Sequence, residues 1–180
     1  MNAVECIKTR RSVRRYTEDL ITKEELNEII DIARMAPTWK NTQTIRYMVV
    51  QDKAIIDKLA SDCMLDFEHN IKTMSKCNTV VLVNQINGRC GYERDGSFST
   101  SKGTGWEMFD AGIAAQTFCL AAHEKGIGSC IMGVFDDAKV AELVNLPEGQ
   151  TVTAIITIGK PKFAPEPTPR KEVEELVTYL

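Results

Sequence analysis

The sequence predicts a mixed α/β domain with about four strands and five helices. Two observations carry this. Short β-branched runs such as "NTVVLVNQ" and "TVTAIITIG" read as buried strands. They alternate with longer segments whose apolar residues recur at helical spacing. A third observation sets the scale. With 180 residues, 43% of them hydrophobic, the chain can form one domain with a real core.

The elements follow in order. Residues 3 to 9 read as a short helix ending at the arginines of "TRRSVRRY". "ITKEELNEIIDIARMAP" is a second helix. Thr22 and Glu25 form a capping box, Leu26, Ile29, Ile30 and Ala33 make one apolar face, and Pro37 is the stop. "RYMVVQ" (46–51) is a strand, and 53–75 is one long helical stretch with Ile55, Ile56 and Leu59 on a face. After the strand 78–85 come residues 86–105, with five of the eleven glycines and no periodicity. Such a segment is either a functional lid or disordered. The helix "WEMFDAGIAAQTFCLAAHEKG" is rich in small residues, which suits close packing at the domain centre. "SCIMGV" and 151–159 are strands around a short helix at 136–144. "KPKFAPEPTPR" has four prolines in eleven residues and reads as an extended arm, 160–180, closed by a helix at 171–179. Nothing repeats, so 1–180 is a single domain with this arm appended.

Composition excludes several functions. A net charge of -3 and a pI near 5.5 argue against general nucleic-acid binding. The six cysteines form no C-x-x-C pair, and none lies near His69 or His123 in sequence, so a metal site is not expected. Cys63, Cys119 and Cys130 read as small core residues. "MNAVECIKTR" has no apolar signal core, which predicts reduced thiols and a cytoplasmic location. No apolar run nears the roughly 20 residues that span a bilayer.

Familiar motifs fail. "GIGSCIMG" lacks the spacing of a dinucleotide fingerprint, and a helix precedes it where a strand should. There is no phosphate-binding G-x-x-x-x-G-K-[ST] and no G-x-S-x-G. His123, near a helix C-terminus, reads as a cation favoured by the helix dipole.

The unexplained feature is "TRRSVRRY", four arginines in eight residues. In extended chain, alternation puts Arg10, Ser12 and Arg14 on one side. Two guanidiniums around a hydroxyl suit a phosphate. The competing reading is a solvated basic turn paired with Glu18 and Asp19.

"RRSVRRY", "APTWKNTQ", "GIGSCIMGVF" and "IGKP" with a distal "PR" together resemble the FMN-dependent nitroreductase family, in order and spacing, over nearly the whole chain. The resemblance implies a mainly antiparallel sheet of four to five strands and a homodimer that exchanges its C-terminal arm and shares its active sites. It implies that Arg10, Arg11, Ser12 and Arg14 hold FMN, with Arg10 and Ser12 on the phosphate and Arg14 toward the pyrimidine edge. Pro37, Thr38, Asn41 and Gln43 would meet the partner's FMN, although Thr44 and Ile45 stand where the family usually has Pro-Trp. Gly133 and Val134 would approach the flavin N5 edge, Arg170 would close on the phosphate, and Asn70 would be a polar flavin contact, with Lys72 nearby. Lys160 and Lys171 are weaker phosphate candidates. Trp39 and residues 86–105 are expected either to wall the substrate pocket or, for Trp39, to pack at the dimer interface. The implied reaction is ping-pong hydride transfer from NADH or NADPH to a nitroaromatic, a quinone or a flavin, with no catalytic side chain. A flavin-binding module without turnover, or a specialised relative acting in dehalogenation or flavin breakdown, is the alternative.

Overall fold

A computed structural model describes residues 1–180. Four strands form one antiparallel sheet: β1 (Ile45–Val50), β2 (Thr79–Ile86), β3 (Gly128–Met132) and β4 (Gln150–Gly159), in the order β1-β2-β4-β3. Six helices surround it: α1 (Ala3–Thr9), α2 (Lys23–Ala33), α3 (Lys53–Asp62), α4 (Glu68–Met74), α5 (Gly105–Glu124) and α6 (Asp137–Leu143). Alternation along β2 explains the layering. Val81 and Val83 face a core shared with Leu26 and Ile29 of α2 and Phe118 of α5. Val80 and Leu82 point the other way, to Ile56 and Leu59 of α3, Met74 of α4 and Val140 of α6. Of the expected core cysteines, Cys63 and Cys119 lie in these two cores and Cys130 is buried outside them, and all six thiols are free.

Helix α2 begins as expected. The Thr22 Oγ1 accepts from the Glu25 N–H at 3.1 Å, and the Glu25 carboxylate accepts from the Thr22 N–H at 2.9 Å. Three expectations are corrected. Residues 53–75 are two helices, because Leu65 and Asp66 take left-handed φ values of 48° and 56°. The Cys63 carbonyl accepts from the Asp136 N–H at 2.8 Å, and Met64 is fully buried, so tertiary contacts turn the chain there. The restart gives α4 a new direction, and α4 carries Asn70.

Secondly, no helix forms at 171–179. A single 3₁₀ turn at Val173–Glu175 stands among exposed Leu176, Tyr179 and Leu180. A nine-residue helix needs a surface to pack on, and the arm finds none within one chain. Thirdly, of the two readings of the segment after β2, disorder is overturned, since residues 87–104 form an ordered series of turns. Tyr92 and Phe98 bridge with ring centroids 4.8 Å apart, the Glu93 N–H donates to Ser97 O at 2.8 Å, and Cys90 is buried. Gly91 (φ 84°) is required, since a Cβ there would lie 3.0 Å from both Gly103 O and Trp106 Cβ.

The arginine segment crosses one end of the sheet. Ser12 pairs in parallel with Ser129 of β3, and the Val13 N–H donates to Ser129 O at 2.9 Å. Tyr16 then pairs with Pro161 just past β4. The crossing is possible because Gly128 and Gly159 face each other in the β3–β4 register. Val13 and Tyr16 occupy the space their side chains would take. The Tyr16 hydroxyl donates to Val13 O (2.6 Å), with Thr157 O at 3.0 Å and Thr157 Oγ1 at 2.9 Å, which anchors the segment over β4.

Candidate cofactor site

The expected site residues fall into two groups. The first gathers around the arginine segment. Arg10 ends α1, its N–H donating to Cys6 O at 3.0 Å. Arg11 turns back, and its Nη1 donates to Lys8 O at 2.7 Å and to Arg10 O at 2.9 Å, which steadies the end of α1. Arg14 Nη1 makes a long contact of 3.3 Å to Ser12 O. Burial pushes the Cys130 thiol pKa up, and Arg14 and Arg10 oppose this, so both guanidiniums are near the start of the sheet at β3. Val13 and Tyr16, three residues apart, both pack down onto the sheet at Gly128 and Gly159, so the segment does not keep a strict alternation.

The competing reading required ion pairs, and the structure has none there. Arg10, Arg11, Arg14 and Arg15 make no salt bridge, and Asp19 is engaged by the Thr17 hydroxyl instead at 2.7 Å. The expected cation at His123 is also corrected. Its Nε2 lies 2.8 Å from Thr9 Oγ1, and burial, followed by Arg10 and Arg11, holds its pKa below the ordinary imidazole value. Burial is the larger cause and the two arginines the smaller one.

Helix α4 completes the first group. Asn70 Nδ2 donates to Val134 O at 3.0 Å, so the restart of α4 joins Asn70 to the turn after β3. Gly133 in that turn is exposed, and a Cβ on it would meet nothing within 4 Å. The packing of this chain therefore does not require glycine there. The open space beside it is what a planar ligand would use.

The second group, Pro37 to Gln43, is a strained turn. Lys40, Asn41 and Gln43 take positive φ values of 44°, 55° and 50°. Such clusters of left-handed non-glycine residues concentrate at ligand clamps. The turn is held by Gln43 N–H to Thr38 Oγ1 (3.1 Å), Asn41 N–H to Thr38 O (3.0 Å), Thr42 N–H to Trp39 O (2.8 Å), Trp39 N–H to Asp110 Oδ2 (2.8 Å), Arg46 Nη1 to Gln43 O (2.9 Å) and a Lys40–Glu93 ion pair (3.0 Å). The Trp39 ring lies on Trp106, centroids 4.6 Å apart. The side-chain amides of Asn41 and Gln43 have no partner within the chain.

Sequence reasoning missed Asp110. It is 2% exposed, and its Oδ2 accepts from both the Trp39 N–H and the Cys90 Sγ (3.2 Å). Burial, then Asp110 itself, pushes the Cys90 thiol up to about 12, so the thiol stays protonated and donates. One carboxylate oxygen thus ties the strained turn to the segment 87–104. The available signal was an acid in the otherwise small, apolar stretch 110–115 of α5. Asp110→Asn should place an amide where an acceptor is needed. Expected is a loss of about 1–3 kcal/mol in urea unfolding, with faster hydrogen exchange at the Trp39 amide.

The two groups do not meet in one chain. The first lies by the C-terminal half of α5, where Thr9 touches His123. The second lies by its N-terminal half, at Asp110. A rise of about 1.5 Å per residue puts about 20 Å between those two points. Arg170 joins neither group. Its guanidinium bonds only within the arm, to Thr168 and Pro169. Of the weaker phosphate candidates, Lys160 pairs with Glu25 and Lys171 with Glu175.

Residues 7–160 match the profile of the nitroreductase family. The chain belongs to that family. Its similarity to individual members is modest and extends along most of their length. A protein of Methanothermobacter thermautotrophicus provisionally named NADH dehydrogenase/NAD(P)H nitroreductase is 27% identical, over 92% of this chain and 80% of that one. The NADPH-flavin oxidoreductase of Vibrio harveyi is 27% identical, over 94% of this chain and 70% of that one. A crystal structure of a nitroreductase family protein from Clostridium difficile superposes with a TM-score of 0.80 at 28% identity, over 99% and 98% of the two chains. The sheet and helices described above are thus the nitroreductase fold. No helix is long and apolar enough to cross a membrane.

Proposed function

We propose that this nitroreductase-family chain is an FMN-dependent NAD(P)H oxidoreductase. It reduces electron-poor acceptors such as nitroaromatics, quinones or flavins, and works as a homodimer with shared sites. One observation carries the reading. A strip of arginines without carboxylate partners lies beside an open glycine turn, in a fold whose relatives include a named flavin oxidoreductase.

The residues present fit FMN. Arg10 and the Ser12 hydroxyl bind the phosphate, and Arg14 faces the pyrimidine edge as a fixed cation. Asn70 fixes the Val134 carbonyl, and so the turn that flanks the ring. Arg11 keeps the end of α1, and with it Arg10, in place. Pro37, Thr38, Trp39, Asn41 and Gln43 cover the flavin of a second copy, because in their own chain they stand about 20 Å away along α5. Arg170 arrives on the exposed arm. FMN, when bound, supplies two-electron exchange between a nicotinamide and the acceptor. The protein orients both in turn over one ring face and excludes water with the turn 37–43. No side-chain acid or base is needed, so no catalytic residue is assigned.

The test is spectroscopic and kinetic. Purified protein mixed with FMN should turn yellow at about one FMN per chain, sediment as a dimer, and oxidise NAD(P)H with a nitroaromatic or quinone in a parallel-line, ping-pong pattern. A protein that takes up no FMN overturns the proposal. One that takes it up without turnover is the binding module considered above.

A further inference from the structure

A second concentration of positive charge lies next to the proposed flavin site. Arg14, Arg15, His69, Lys72, Thr73 and Lys76 line a pocket of about 240 Å³ with no apolar side chain. Residues 69, 72, 73 and 76 recur at helical spacing along and just past α4, and so face the arginine segment as one row. Glu68, which pairs with Lys72, is the only carboxylate bound to any lining residue. Four permanent cations around so small a space repel one another, and a multivalent anion would relieve that.

Two features set the kind of anion. The lining is donor-only apart from His69 and Thr73, which suits phosphate oxygens. Arg14 is shared with the proposed flavin cradle, and Asn70 stands between the lining residues His69 and Lys72 on α4. The pocket therefore starts where the flavin site ends, within reach of a long molecule anchored on the ring. We infer that this pocket takes the adenosine 2′-phosphate of NADPH and makes the chain prefer NADPH over NADH. The inference rests on the proposed flavin oxidoreductase function and adds the choice of donor, which sequence motifs leave open.

The donor differs from NADH only in that phosphate, so the comparison isolates the pocket. Charge-assisted bonds of the usual strength predict a kcat/KM about 10- to 100-fold higher with NADPH. Arg15→Gln with Lys76→Gln should remove most of this preference by raising KM for NADPH. Turnover with NADH and the flavin absorbance should stay unchanged. Equal use of the two donors by the parent protein, or equal losses with both in the variant, overturns the inference while leaving the flavin reading intact. A second measurement needs no flavin. In calorimetry, adenosine 2′,5′-bisphosphate should bind the parent at least about 10-fold more tightly than 5′-AMP, and the variant should not discriminate. Inorganic phosphate binding as tightly as the bisphosphate would show a general anion hole, and would overturn the assignment to the donor.

Discussion

Replacing Arg10 and Arg14 together by glutamine should lower the affinity for FMN by about 10²- to 10⁴-fold. Each guanidinium is expected to make charge-assisted bonds of about 1.5–3 kcal/mol, and each 1.4 kcal/mol is tenfold. The structure makes this a clean experiment. Neither side chain pairs with a carboxylate, so the substitutions leave no buried charge behind. Removing two self-repelling cations should leave folding stability within about 0.5 kcal/mol, as for surface substitutions generally. The measurement is a fluorescence or absorbance titration with FMN beside a urea unfolding curve. Unchanged FMN affinity in a folded variant would remove the physical basis of the oxidoreductase proposal. The affinity loss should shrink in high salt, because screening already weakens the parent.

The second large effect concerns the floor under that segment. Alanine at Gly128 would put its Cβ 2.7 Å from Val13 Cγ2 and 2.8 Å from Val13 Cβ. Alanine at Gly159 would put its Cβ 2.8 Å from Tyr16 Cδ1 and 2.9 Å from Cγ. Neither neighbour is a loose side-chain end. Val13 is β-branched and stiff, and Tyr16 is tied through its hydroxyl. Each substitution should cost about 1–3 kcal/mol by overpacking, and should also weaken FMN binding, because relief requires the arginine segment to lift. The two glycines face each other and share one overlying segment, so the double variant should cost less than the sum. Gly133→Ala supplies the contrast. Its Cβ meets nothing in the chain, so stability should hold while FMN binding falls. If Gly128→Ala and Gly159→Ala destabilise without touching FMN affinity, the segment is structural only.

How much of this was legible in the sequence depends on how local each cause is. Helix α2 could be read because its capping box lies within four residues, and β2 because its β-branched run is continuous. The break at Leu65 and Asp66 was not legible, since Asp tolerates a left-handed backbone but Leu does not favour it, and the turn is tied to a distant contact, the Asp136 N–H on Cys63 O. The arm's missing helix follows from a packing partner that one chain does not supply. The Gly128–Gly159 pair joins residues 31 positions apart, so only the strand register reveals that they face each other. The Asn70–Val134 contact was not legible, because 64 positions separate the two and the family resemblance offered each only as a separate flavin contact. The absence of ion pairs on the arginines was likewise invisible, as Glu18 and Asp19 are close in sequence yet neither pairs with an arginine, and Asp19 accepts from the Thr17 hydroxyl instead.

The stacking of Trp39 on Trp106 has a consequence for optical work. These are the only two indoles in the protein, and they sit together at one corner. Intrinsic emission is therefore a local gauge of the turn at 37–43, largely blind to the opposite end of the sheet. A chromophore that settled under that turn would quench both rings at once.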